Sequence, residues 1–115
     1  MKRKKPFDGE RVLIGGKRYA IEQMLMVGAN LEGSYESKYR MEILLYDKKT
    51  GKWFLSIEVG GYMNLDGDHK SPTWMHVNHI ILYSHDSAGK WLEKHGRGDD
   101  EMWTRVMDII MNKKD

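Results

Sequence analysis

The chain has 115 residues, no cysteine and a formal net charge of +2. That length suits one domain with one core, and the missing cysteine removes disulfides, thiol catalysis and cysteine-bound zinc together. No run of about 18 apolar residues offers a membrane span, and Pro6-Phe7-Asp8-Gly9-Glu10 stands where a signal peptide would carry its apolar stretch, so a cytoplasmic protein is expected.

Charge placement says more than the total. Lys2, Arg3, Lys4 and Lys5 hold four of the 19 basic residues, leaving 15 basic against 17 acidic residues in the rest of the chain. Residues 1–6 read as a disordered basic tail and residues 7–115 as a single domain. A body with that balance is a poor general phosphate binder, because nonspecific nucleic-acid affinity needs many Lys and Arg contacts on one surface.

In chain order, Val12-Leu13-Ile14 forms a short apolar run, and Gly15-Gly16 is a hairpin signal because both residues tolerate positive φ. Tyr19, Ile21, Leu25 and Val27 then share one parity, which predicts a second strand. Residues 28–34, GANLEGS, read as a polar, flexible loop.

Residues 39–59 organise the chain as a long β-hairpin. Apolar residues alternate before the turn at Tyr39, Met41, Ile43 and Leu45, and after it at Trp53, Leu55, Ile57 and Val59. Putting both sets on one face places Leu45 roughly opposite Trp53, with a bulge at Gly51 absorbing the odd residue. Gly60-Gly61 is expected to end the hairpin, and the stretch to Pro72 to form a long loop. A third long strand starts at Thr73, in the run TWMHVNHIILYS.

From Asp86 the period changes to that of a helix. Ala88, Trp91, Leu92 and His95 fall on one side of a short helix capped by Asp86 or Ser87 and stopped at Gly96. A longer one follows, with Asp99, Asp100 and Glu101 at its start and Lys113 and Lys114 at its end, as the helix dipole prefers. Its apolar residues, Met102, Trp103, Val106, Met107, Ile109 and Ile110, cover an arc wider than one surface needs. That width predicts a second contact, with the short helix, another protein or a second copy. The whole is an α+β domain: an antiparallel sheet of four or five strands with one short and one longer C-terminal helix packed on one face.

Several chemistries lack support. His76 and His79 are three apart on a strand and point to opposite faces, so they cannot share an ion. Asp66, Asp68 and His69 lie in a loop without a fixed scaffold, and the calcium-loop pattern starting at Asn64 reaches Met75 where its glutamate should stand. No metal and no cofactor is predicted. Ser84-His85-Asp86 are consecutive and cannot align for proton transfer. Gly96-Arg97-Gly98 precedes a helix whose acidic first turn would repel phosphate. Glu58 and His76 form an acid–base pair only if their strands are neighbours. No constellation argues for an enzyme.

If Met41, Ile43, Leu45, Leu55, Ile57 and Val77 pack under the helices, the opposite parity faces outward. It offers Tyr46, Phe54, Glu58, Trp74, His76 and Asn78, a mixture of aromatic anchors and orienting polar groups suited to binding. The leading expectation is a small non-catalytic binding protein that acts by occupying a partner protein, an inhibitor or accessory factor of the kind carried by phages and mobile elements. One alternative is weak nucleic-acid binding through Lys2, Arg3, Lys4, Lys5, Lys48, Lys49 and Lys52, with Trp53, Phe54 or Trp74 as stacking platforms. Another is a small-molecule-binding or enzymatic pocket near residues 60–72, using Glu58, His69 and His76.

Overall fold

The computed structural model describes residues 11–14, 17–34, 37–63 and 73–112; the expected basic tail, and residues 64–72 of the stretch expected to be a long loop, fall outside this set. The central hairpin forms as its pattern predicts, from β4 (Lys38–Asp47) and β5 (Lys52–Met63). Asp47 organises the turn. Its carbonyl accepts from the Gly51 amide at 2.8 Å. Its carboxylate accepts from the Lys49 amide at 3.2 Å and the Thr50 hydroxyl at 2.7 Å. Gly51 supplies the positive φ, 70°.

This turn corrects the expected register. Asp47 pairs with Lys52, so Leu45 faces Phe54 and Tyr46 faces Trp53, and the ladder runs unbroken to Lys38 opposite Gly61. Four residues held by Asp47 leave none over for a bulge at Gly51. Because side chains alternate with period two, the one-residue slip moves all of β5 to the other face relative to β4. Nor do Gly60 and Gly61 end the strand. Gly61 has φ 129°, and a Cβ there would collide with the Ser37 carbonyl, so glycine serves a close backbone approach within the ladder.

Two further strands complete an antiparallel sheet of order β3-β4-β5-β6, with β3 at Leu25–Gly33 and β6 at Thr73–Tyr83. A separate two-stranded ribbon is made by β1 (Arg11–Ile14) and β2 (Lys17–Ala20). The single strand expected after the first hairpin is broken by a 3-10 turn at Ile21–Gln23, closed by the Met24 amide donating to the Ile21 carbonyl at 3.0 Å. The turn brings both Ile21 and Met24 into the core.

Residues 28–33, read as loop, are the body of β3, with a bulge between Met26 and Gly28. Gly28 is set by packing. A Cβ there would stand 2.8 Å from Trp91 Cζ3 and 3.1 Å from the Gly96 carbonyl oxygen. Gly28→Ala is therefore expected to lower stability by about 1–3 kcal/mol, the cost of overpacking, measurable by equilibrium denaturation.

The helices are α1 (His85–His95) and α2 (Asp100–Asn112). Ser84 caps α1, its hydroxyl accepting from the Ser87 amide at 3.0 Å, so the cap stands two or three residues ahead of the expected Asp86 or Ser87. Asp99 caps α2 in the same way, accepting from the Met102 amide at 2.8 Å.

The α+β class stands, but the helices lie on opposite faces of the sheet. On one face Val106, Ile109 and Ile110 of α2 join Ala29, Leu31, Met41, Ile43, Leu45 and Phe54, with Tyr19, Ile21 and Met24 packed alongside. On the other, Ala88 and Trp91 of α1 pack on Leu44 and Leu55. Both parities of β4 are therefore apolar, and neither face is free along its length. The wide arc of α2 is taken up within the chain: Met102, Trp103 and Met107 pack half-buried on the same core. Trp103 also donates its indole N–H to the Arg97 carbonyl of the preceding linker at 2.9 Å.

Candidate functional site

The register decides where the predicted binding residues lie. Phe54, Glu58 and Asn78 stand on the α2 face, and Trp74 and His76 take positions of the same parity opposite Tyr62 and Gly60. Tyr46 lies on the α1 face, its ring 4.7 Å from that of Trp53. The six residues do not make one surface. Phe54 is 0% exposed, with its ring 4.8 Å from that of Tyr19. Glu58 is 0% exposed as well and accepts from the Tyr39 hydroxyl at 2.6 Å. It faces Asn78, whose amide donates to the Ser56 hydroxyl at 3.1 Å. Two members of the expected binding face are thus core.

Exposed apolar surface gathers at β6 instead. Val77 is 55% exposed, its cross-strand neighbour Val59 43% and Ile81 42%, all three on the α1 face. Leu82, 47% exposed, projects to the other side. The apolar contacts of α1 centre on Leu44 and Leu55 and leave this flank uncovered. β6 is also an edge. Among the described residues no strand pairs with its outer side, although β1 comes close to it. From Thr73 to Tyr83 the strand has no Asp, Glu, Lys, Arg or Pro. Those are the residues that normally blunt an edge against another chain. Their absence is a signal legible in the sequence that periodicity alone passes over.

A second surface lies at the hairpin tip. Lys49 donates to the Gln23 side chain at 2.9 Å and Lys52 to the Tyr19 hydroxyl at 3.3 Å. The ammonium groups of Lys17 and Lys52 sit 5.5 and 6.0 Å from the centre of the Tyr19 ring. A cleft of about 380 Å³ opens here between Lys17, Arg18, Gln23, Lys49 and Thr50, with Lys48 exposed beside it. The sequence named Lys48, Lys49 and Lys52; folding adds Lys17 and Arg18 from β2. Lys2, Arg3, Lys4 and Lys5 lie outside the described residues, as does His69.

A third group stands under α1. Glu42 accepts from the Trp91 indole N–H at 2.8 Å and from the Arg40 guanidinium at 2.9 and 3.1 Å, and His95 Nε2 is 4.0 Å away. Tyr83, Ser87, Lys90 and Lys94 complete a cleft of about 370 Å³ above it. Burial pushes the Glu42 carboxyl up, but the hydrogen bonds from Trp91 and Arg40, with Arg40 and His95 alongside, outweigh it and hold the group below its ordinary value of 4.5. A carboxyl whose value is lowered in the fold stabilises above its unfolded value, and that contribution is lost as the pH falls through the folded one. The stability difference between the wild type and Glu42→Gln should therefore be largest near neutral pH. It should shrink through the acid range below about pH 4.5, as denaturation curves at several pH values would show. Among the described residues no three His, Asp or Glu side chains gather as a metal site requires.

The arrangement defines a small α+β protein with a four-stranded sheet held between two helices and, among the described residues, no strand paired to the outer side of β6. No family model, curated protein or solved structure matches the chain. No helix among the described residues is long and apolar enough to cross a membrane.

Proposed function

We propose that this chain is a small non-catalytic binding protein that acts by occupying a partner protein, with β6 as the contact strand. The observation that carries the reading is the coincidence, on one uncharged edge strand, of an outer side that no strand among the described residues pairs and the exposed side chains of Val77, Ile81 and neighbouring Val59. Such an edge is suited to strand addition, in which main-chain hydrogen bonds supply affinity and the flanking side chains supply selectivity. The test compares affinity isolation from the source cells with the wild type and with Val77→Lys/Ile81→Lys. A protein retained by the first and lost with the second supports the reading. Identical recoveries with both, or none with either from a chain that is itself monomeric, overturn it. Both positions are solvent-exposed in the single chain, so the variant should still fold and melt cooperatively.

A second reading is favoured by the basic cluster at the hairpin tip, where Lys17 and Arg18 stand with Lys48, Lys49 and Lys52. It gives the protein a weak, salt-sensitive affinity for single-stranded nucleic acid. Lys49→Glu/Lys52→Glu should then abolish binding of a labelled oligonucleotide at low salt. An unchanged affinity, or one indifferent to salt, ends that reading.

A further inference from the structure

We infer that the strand taking the open edge is β6 of a second copy, joined antiparallel about a two-fold axis at His79 to give a continuous eight-stranded sheet. The inference rests on the strand-addition reading and names its partner.

The two edges of the sheet are treated differently. At β3 both helices lean on the strand, and a bulge interrupts the ladder between Met26 and Gly28. The Arg105 guanidinium donates to the Gly33 carbonyl at 3.0 Å, and Glu32 adds an exposed charge. Each of these discourages another strand. At β6 the ladder with β5 is regular from Thr73 to Tyr83 and the strand carries no formal charge, and among the described residues β1 comes close to it without pairing. The exposed pair Val77 and Ile81, placed symmetrically about His79 on one face, is what selects a second copy, and charge does not oppose it. An uncharged strand meets its own copy with no like-charge pair, which a strand bearing even one ionised side chain near the axis would create.

Symmetry restricts the register. In an antiparallel pair, opposed residues share a face, so a two-fold axis must set one residue against its own counterpart. With His79 at the axis, Val77 of each copy faces Ile81 of the other, and the pairing runs over Met75–Tyr83. The exposed apolar residues of the α1 face then cover one another in two cross-strand pairs, flanked by Val59. An axis at Asn78 would instead set Val77 against His79, and one at Ile80 would set it against Tyr83. His79 is the position that matches apolar with apolar.

The test is a charge swap within one chain, read as mass by light scattering after size exclusion. The wild type should run at about twice the 13.5 kDa of the chain. Val77→Lys/Ile81→Lys, which sets lysine against lysine across the axis, should run as a monomer. Val77→Lys/Ile81→Glu sets lysine against glutamate twice and should recover the dimer. A monomeric wild type, a dimer indifferent to the two lysines, or no recovery with the lysine–glutamate chain would each overturn the pairing. A wild type that is monomeric yet captures a protein lost with the two lysines overturns self-pairing alone and leaves the partner reading standing.

Discussion

Phe54→Ala should destabilise the fold by about 3–5 kcal/mol, the range for emptying a buried aromatic site. For a domain of this size that is a large part of a total stability of roughly 5–15 kcal/mol. The residue is 0% exposed, stands opposite Leu45 and Leu82, and meets the Tyr19 ring at 4.8 Å, so its loss opens the core where the ribbon, the hairpin and α2 converge. An aromatic on an open binding face would behave otherwise, since surface truncations usually move stability by less than about 0.5 kcal/mol. Urea denaturation decides the matter. A midpoint near that of the wild type would restore Phe54 to the surface and with it the register in which Leu45 faces Trp53.

Trp91→Ala should cost a similar amount, about 3–5 kcal/mol, on the other side of the sheet. The indole packs with Leu44, Leu55 and Ala88, fills the space left by the absent Cβ of Gly28, and donates to Glu42 at 2.8 Å. Trp91→Phe separates these roles. It keeps most of the apolar contact and deletes the donor, so about 1–3 kcal/mol should be lost. The Glu42 carboxyl should then titrate at higher pH, because one of the hydrogen bonds that hold it down is gone. If the phenylalanine variant proved as unstable as alanine, the Glu42 bond would outweigh the packing. If it matched the wild type, the bond would add nothing.

What the sequence discloses follows from how many faces of each element are buried. α2 was legible because its acidic start and apolar side agree, and β6 because its run is long and free of breakers. The hairpin was legible as a hairpin and illegible in register. Leu44 and Leu45 are both fully buried, one under each helix, so alternation on β4 does not say which residue of β5 belongs to which side. Placing both helices on one face followed from the same assumption, that one parity must meet water. Gly28 and Gly61 mislead for a different reason. Their sequence signal is that of a turn, while their use is to let Trp91 or a neighbouring strand come close. The candidate surfaces depend on that missing register. Phe54 and Glu58 moved from surface to core by one residue of slip, and Val59 and Val77 moved the other way.

The linker between the helices crosses the β3 edge. The Gly96 carbonyl and Arg97 lie against Gly28, and Gly98, at φ 85°, lies against the Ala29 carbonyl, so the chain passes from one face of the sheet to the other around that side. The consequence concerns biosynthesis. All four strands leave the ribosome before either helix exists, and the nascent sheet has Leu44 and Leu55 bare on one side and Ile43 and Leu45 on the other. Neither side is closed until residues 85–112 have followed and wrapped the edge. A chain interrupted near Gly96 would keep α1 and leave the face holding Phe54 without Val106, Ile109 and Ile110. Such stalled or truncated products should be captured by chaperones or aggregate.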